Sequence, residues 1–324
     1  MEPFDPLFRN PHLQTIAGHY WRRPRELVRF PIERRLYRPE PGVQVMLLSQ
    51  RPAGEAIGEI VMVHGLEGSA DAVYMQSLSL AALQAGFAAH RLNMRTCGGT
   101  EHLCPTLYHA GLTGDLLHIL REFHREGRPP AFLVGFSLGG NVVLKLAGEM
   151  GETAWPLFRG VSTVSTPLDL DACATQIAEP ENRIYHRRFV RRMRERLCAT
   201  GRYQKRHFTA LHSVRAIDDR ITAPSFGFGD AANYYRTQSA LRFLDAIRVP
   251  ALLIQAQDDT FIPFRVYRSE AVRSNPRIEL LVTRHGGHLG FIGRKPRRFW
   301  VDQAIMEWVA GQNAKSPPLI SSRS

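Results

Sequence analysis

Gly135-Phe136-Ser137-Leu138-Gly139 is a G-x-S-x-G pentapeptide set between an apolar run, Ala131–Val134, and a helix-period segment opening near Gly140. That setting suits a serine nucleophile. A sharp strand-to-helix turn raises the Ser137 hydroxyl above the sheet, and the flanking glycines let backbones pass without Cβ clashes. The helix N-terminus behind it favours developing negative charge. A chance match in a glycine-rich turn would not come with a strand before it and a helix after it.

A serine hydroxyl is a poor nucleophile, so a base and an acid to orient it are expected downstream. After the apolar run Ala251–Ile254 comes Gln257-Asp258-Asp259-Thr260-Phe261-Ile262-Pro263, and after Ile278–Val282 comes His285-Gly286-Gly287-His288-Leu289-Gly290-Phe291. Both loops follow strand C-termini, where α/β sheets place their sites. An Asp-x-x-x-Pro spacing to Pro263 selects Asp259 as the acid; Asp258 then reads as a turn-capping or solvated carboxylate. Two preceding glycines select His288 as the base and leave His285 as a surface residue at a strand end. The oxyanion donors expected are the backbone N–H groups of Leu138 and of Leu66, in the loop His64-Gly65-Leu66-Glu67-Gly68-Ser69. His64 is expected to brace that loop, because no carboxylate or second histidine stands at ligand spacing around it.

The elements that must hold these residues alternate along the chain. Strand-like runs at Ile60–Val63, Phe87–Leu92, Ala131–Val134, Val161–Val164, Ala251–Ile254 and Ile278–Val282 are interleaved with helical periodicity. Tyr74, Leu78, Ala81, Ala82 and Ala85 share one predicted face, as do Leu116, Ile119, Leu120 and Phe123; Val301, Ala304, Ile305 and Trp308 mark a closing helix. The pattern predicts an α/β fold with a mostly parallel sheet and helices on both faces. The first forty-odd residues, rich in Pro and Arg, are expected to wrap the body before two antiparallel strands. Residues 167–247 break the alternation and read as an inserted helical cap within a single 1–324 domain. The stretch 311–324 reads as a disordered tail.

The bulk numbers agree with a globular protein. The chain has 324 residues, 44% hydrophobic and 22% charged, and its mean hydropathy is −0.22. It lacks any 18-residue apolar run, and Met1–Arg22 lacks the apolar stretch of a signal peptide, so a cytoplasmic protein is expected. Four scattered cysteines argue against a disulfide framework and a thiolate metal site. Asp115 and Glu101 make no acid/base dyad and are expected to be solvated or capping. No phosphate loop or dinucleotide fingerprint follows a strand, so neither a cofactor nor a metal is expected.

Charge is the unusual quantity. Of the net +12, the segment Glu181–Arg206 carries +8, with ten Lys/Arg against two Glu. Within it Tyr185, Phe189, Met193 and Leu197 recur at i+4 steps, an apolar seam that either packs the cap or lines an acyl tunnel. Phe189, Tyr234 and Tyr235 are the candidate substrate-binding residues. Arg187, Arg188, Arg191, Arg192, Arg194 and Arg196 flank the seam, so peripheral contact with anionic membrane is expected, unless they form only a solvated face. No nucleic-acid-binding signature accompanies the charge, and a nucleic-acid partner is not expected.

The sequence resembles the YheT-like branch of the α/β-hydrolases, a family of esterases and lipases. The resemblance is carried by Asn10-Pro11-His12-Leu13-Gln14-Thr15-Ile16, His64–Ser69, Tyr108-His109-Ala110-Gly111-Leu112-Thr113, Gly135–Asn141, Ile221-Thr222-Ala223-Pro224, Tyr234-Tyr235, Asp258-Asp259 and Gly287–Phe291, in order over nearly the whole chain. It implies the α/β-hydrolase fold, with Ser137, Asp259 and His288 as its triad. Arg95-Thr96-Cys97-Gly98-Gly99 departs from the family's usual Arg-Gly-Cys-Ser-Gly, at a loop expected to edge the pocket. The function expected is serine hydrolysis of carboxylic esters, of acylglycerols or simple acyl esters. An acyltransferase or thioesterase would use the same acyl-enzyme, and a non-catalytic lipid-binding hydrolase fold is the alternative from another class.

Overall fold

The computed structural model describes residues 2–21 and 26–315. An antiparallel pair, β1 (Glu33–Glu40) and β2 (Val43–Gln50), leads into β3 (Glu59–Val63), β4 (Ala88–Asn93), β5 (Ala131–Phe136), β6 (Phe158–Val164), β7 (Ala251–Ala256) and β8 (Ile278–Thr283). The sheet order is β1-β2-β4-β3-β5-β6-β7-β8, with β2 antiparallel to β4 and every later neighbour parallel. Strand order therefore reverses around β3, and β3 and β5 end side by side at the switch point where such sheets bind ligands.

The central strands are apolar because both faces are covered. Val61, Val63, Leu133 and Leu253 pack beneath α3 (Gly114–Arg125) and α4 (Leu138–Met150). Their alternate neighbours Ile60, Met62, Phe132 and Ile254 pack against α2 (Val73–Gln84) and the C-terminal helix. Helix α2 turns Met75, Leu78 and Ala82 inward but leaves Ala85 exposed, because the chain leaves the helix there and Gly86 takes φ +84°.

Helix α1 (Pro11–Tyr20) was not among the expected elements. Asn10 caps it by accepting from the His12 and Leu13 amides, and Pro11 opens its first turn. Between β6 and β7 lie α5 (Leu170–Ile177), α6 (Arg183–Ala199), the short α7 (Val214–Ile217) and α8 (Ala223–Ser225), and α9 (Ala231–Gln238). Within this helical segment Val190, Met193 and Leu197 pack with Phe208, Leu211, Val214 and Ile217 in a small core of their own. Helix α10 (Glu270–Ser274) precedes β8, and α11 (Trp300–Lys315) closes the chain. Residues 311–315, expected to begin a disordered tail, are the last turn of α11; the rest of that expectation lies outside the described residues.

Candidate active site

Ser137 sits at the turn between β5 and α4 with φ +50° and ψ −122°. A Cβ on Gly135 would meet Gly139 O at 2.5 Å, and one on Gly139 would meet Val63 O at 2.3 Å, so the pentapeptide's glycines are demanded by close backbone passage. Among the described residues the non-glycine positions with positive φ are Glu67, Thr96, Ser137, Ser165 and Leu289. Each lies on a loop after a strand C-terminus, on the face of the sheet edge that holds Ser137. Strain collected in this way marks a functional site.

His288 connects the two other predicted residues. Its Nε2 is 3.0 Å from Ser137 Oγ, and its Nδ1 is 3.0 Å from Asp259 Oδ2. Asp259 is buried and accepts from the Phe261 and Ile262 amides at 2.9 and 3.2 Å, which fix its carboxylate. The His288 backbone is braced by α1, since its N–H donates to Thr15 Oγ1 at 2.9 Å. Gln14 Nε2 donates to the Gly290 and Ile292 carbonyls of the same loop. Only the tertiary fold reveals that bracing.

The Leu66 amide lies on the β3 loop and Leu138 at the first position of α4, whose N–H has no intrahelical acceptor. Around them the loop is rigidly held. Gly65 N–H donates to Tyr74 Oη at 3.0 Å, and His64 Nδ1 donates to Gly65 O at 2.8 Å while its Nε2 accepts from Met94 N–H at 3.2 Å. His64 is thus a neutral brace, and burial lowers its pKa to about 4. Asp115 corrects an expectation. It is neither solvated nor capping but buried in a bidentate pair with Arg95, at 2.6 and 2.8 Å, because Arg95 itself points into the protein.

Two hollows meet at Ser137 and His288. The inner one, about 790 Å³ with its open mouth included, lies beneath the helices that follow β6 and is lined by Leu66, Leu138, Leu170, Ile177, Met193 and Phe261. Phe189, Tyr234 and Tyr235 all line it. Its floor is polar. Tyr235 Oη donates to Asp218 Oδ2 at 2.7 Å, and burial raises the Asp218 carboxyl to about 6. The outer hollow, about 1810 Å³, opens between the β3 loop, α1 and α6, and is lined by Gly98, Gly99, Tyr185, Arg188 and Arg192. The loop 95–99 thus edges the outer hollow.

The basic segment divides by direction. Arg196 turns inward onto the Glu67 carboxylate at 2.9 Å, and Arg194 donates to Leu211 O. Arg188 donates to Tyr20 Oη at 2.8 Å, while Arg187 and Arg191 are exposed. The seam expected on α6 also divides. Met193 and Leu197 pack in the helical segment's own core, whereas Tyr185 and Phe189 lie edge-on to Phe261 beside His288. Among the described residues no group of three His, Cys, Asp or Glu could hold a metal ion, and no helix is long and apolar enough to cross a membrane.

Comparison with known proteins gives consistent likenesses. Residues 60–301 match the Alpha/beta hydrolase family. The chain is 34% identical over 315 residues to "Putative esterase YheT" of Escherichia coli (strain K12), covering 93% of this chain and 91% of that protein. To Phospholipase ABHD3 of Bos taurus it is 26% identical over 259 residues, covering 77% of this chain but only 62% of that protein. The solved structure of the Pyrococcus furiosus esterase Pf2001 superposes with a TM-score of 0.58 at 16% identity, covering 90% and 94% of the two chains, a likeness of fold alone.

Proposed function

Because the chain belongs to the α/β hydrolase family and is an esterase/lipase-type enzyme, we propose that it cleaves carboxylic esters through an acyl-Ser137 intermediate. The observation that carries this reading is His288, which bridges Ser137 Oγ and Asp259 at 3.0 Å on either side. In the first step Ser137 Oγ attacks the acyl carbonyl as His288 Nε2 takes its proton. The Leu66 and Leu138 N–H groups hold the resulting oxyanion. His288 then gives that proton to the departing alcohol oxygen as the tetrahedral intermediate collapses. Water repeats the sequence on the acyl-enzyme, releasing the carboxylic acid and restoring the serine. Asp259 keeps the proton of neutral His288 on Nδ1, so that Nε2 faces the serine as acceptor, and it stabilises the imidazolium.

The inner hollow suits the acyl chain, since its wall beside Ser137 is apolar. The Asp218–Tyr235 pair places one polar spot in an otherwise mostly apolar lining. A lipid ester as substrate agrees with the phospholipase relative. Beside the outer hollow, α1 exposes Leu13, Ile16 and Tyr20, and α6 exposes Ile184 next to Arg187 and Arg191. This surface supports an enzyme that meets anionic lipid peripherally.

The test is a series of p-nitrophenyl esters of rising chain length. Wild-type protein should turn them over and accept a fluorophosphonate label on Ser137. Ser137→Ala should lower kcat by about 10⁴–10⁶ with the fold intact. Phe189→Ala, which opens the wall of the inner hollow, should move the preferred chain length upward; a uniform loss across all lengths would assign Phe189 to packing alone. Absence of both turnover and label in the wild-type protein would refute the esterase mechanism.

A further inference from the structure

We infer that Arg196 of α6 is a positioning residue for the oxyanion hole, clamping the β3 and β4 loops into the strained shape that presents the Leu66 amide. The inference rests on the esterase reading above. Its observations are independent of the Ser137–His288–Asp259 geometry.

Arg196 turns from α6 onto the Glu67 carboxylate, whereas Arg192 reaches only the Glu67 carbonyl, at 3.4 Å. The Arg196 Nε donates to Glu67 Oε1 and Oε2 at 2.9 and 3.0 Å, and one terminal nitrogen donates to Thr96 Oγ1 at 2.9 Å. Its guanidinium lies 4.7 Å from the centre of the Tyr108 ring. Tyr108 Oη donates to Glu67 Oε1 and accepts from the Glu67 N–H, both at 3.1 Å. The side chains of Arg196 and Glu67 are 9% and 3% exposed, so little solvent competes for either charge.

The two residues that this guanidinium holds are special in their backbones. Glu67 has φ +54° and Thr96 φ +61°, a left-handed conformation that is uncommon for Glu and an outlier for β-branched Thr. Such backbones persist only where surrounding contacts over-determine them. Glu67 directly follows Leu66, so holding the Glu67 side chain and its N–H anchors the peptide that leaves Leu66 and, through it, the residue whose N–H is presented to the substrate oxygen. Thr96 belongs to the segment 95–99 that departs from the family pattern. There the structure puts a hydroxyl that only this arginine engages from α6.

A guanidinium is suited to this task. It can address a carboxylate and a hydroxyl at once from one plane, which an ammonium cannot. It also couples two functions. The helix that walls the acyl hollow with Phe189 and Met193 is the one that holds the oxyanion loop, so displacement of α6 would loosen both together.

The experiment compares wild type with Arg196→Lys, with the neutral pair Arg196→Met/Glu67→Gln, and with Thr96→Ala. The neutral pair leaves no orphaned buried charge, and Thr96→Ala removes the smaller contact if the pair does not fold. Steady-state hydrolysis of p-nitrophenyl butyrate should show kcat lowered about tenfold or more in the neutral pair, with KM within about twofold, because the lost interaction belongs to the transition state. Affinity for a trifluoromethyl ketone, which places an oxyanion in the hole, should fall in parallel. Arg196→Lys should recover part of kcat, and Thr96→Ala should lose about threefold. Amide exchange of the peptide 64–69 should rise in each variant, a readout that needs no turnover. Unchanged kcat with raised KM, or unchanged exchange, would overturn the inference. Failure of the esterase reading is separately visible as wild-type protein that neither turns over ester nor labels at Ser137.

Discussion

Asp258 and His285 pair with each other one step to the side of Asp259 and His288. Asp258 Oδ2 lies 3.2 Å from His285 Nδ1, and Asp258 Oδ1 accepts from the Gly287 N–H at 2.9 Å. Two adjacent aspartates thus reach two histidines three residues apart. One pair ties the β7 loop to the β8 loop, and the other faces Ser137. The division follows burial, since Asp259 has two backbone amides pointed at it and no solvent, whereas Asp258 caps a turn.

This arrangement predicts unequal consequences. Asp259→Asn should lower kcat by up to about 10⁴, because the amide cannot hold the proton of His288 on Nδ1. Asp258→Asn should leave kcat within a few-fold and lower stability by about 1 kcal/mol through the weakened cap on Gly287. Steady-state kinetics and urea midpoints on both variants separate the two roles. A crippled Asp258→Asn beside an active Asp259→Asn would reverse the assignment of the acid.

What could be read from the chain, and what could not, divides by range. The strands β3 and β5 to β7 were legible as mostly apolar runs covered on both faces, β4 in spite of its buried His90 and Arg91, and the edge strand β8, only half-buried, from its residues Leu280, Leu281 and Val282. Ser137 was legible because the constraint on Gly135 and Gly139 is local. Helix α1 escaped because its large apolar residues Leu13 and Ile16 face solvent, while its buried ones are the polar Gln14 and Thr15 and the small Ala17 and Gly18. Its partner, the His288 loop, is more than 270 residues away. Arg196 escaped for the same reason. It is indistinguishable in sequence from Arg191 or Arg192, and its carboxylate lies 129 positions earlier. Asp115 was misjudged because a carboxylate is normally solvated, and nothing near it in sequence shows that Arg95 is buried.

Acid should weaken the fold through its buried histidines. His109 is enclosed by Phe226, Phe228 and Tyr234, and burial, with the charges of Lys145 and Arg95, lowers its pKa from 6.5 to about 3. His64 titrates at about 4. Below 6.5 the unfolded chain binds a proton at each that the folded chain refuses, so stability declines as pH falls toward those folded values. Asp218, raised from 3.8 to about 6, acts in the opposite sense: the folded chain holds its proton longer, and that contribution fades as pH rises through 6. Between pH 7 and 4.5, His109 alone should account for about 3 kcal/mol of loss. His109→Phe should therefore flatten the dependence of the urea midpoint on pH, after a cost of about 1 kcal/mol at neutral pH for the orphaned Gly111 amide. An equal decline in both proteins would remove His109 from the account.

The surface beside the outer hollow predicts how the enzyme meets lipid. On α1, Leu13, Ile16 and Tyr20 fall at i, i+3 and i+7 and are 50%, 45% and 64% exposed; on α6, Ile184 is 75% exposed. The helices touch through His12 stacked on Tyr185 at 5.7 Å and through the Arg188–Tyr20 hydrogen bond, so these side chains share one patch. Arg187 is exposed beside it, and Arg191 lies 3.5 Å from Glu195 with both side chains mostly exposed. The apolar side chains that enter lipid would be those of α1 and Ile184, because the seam of α6 faces the hollows and the helical segment's own core. Each arginine near an anionic surface contributes about 1 kcal/mol, and the attraction is screened over roughly 8 Å at physiological salt. Co-sedimentation with phosphatidylglycerol vesicles should therefore exceed that with phosphatidylcholine vesicles and decline as salt rises. Leu13→Asp/Ile184→Asp should abolish it, while hydrolysis of a monomeric p-nitrophenyl ester continues. Arg187→Glu/Arg191→Glu should remove the preference for anionic lipid and its salt dependence. Equal binding to both vesicle types, or none to either, would restrict the basic face to solubility and leave the esterase mechanism untouched.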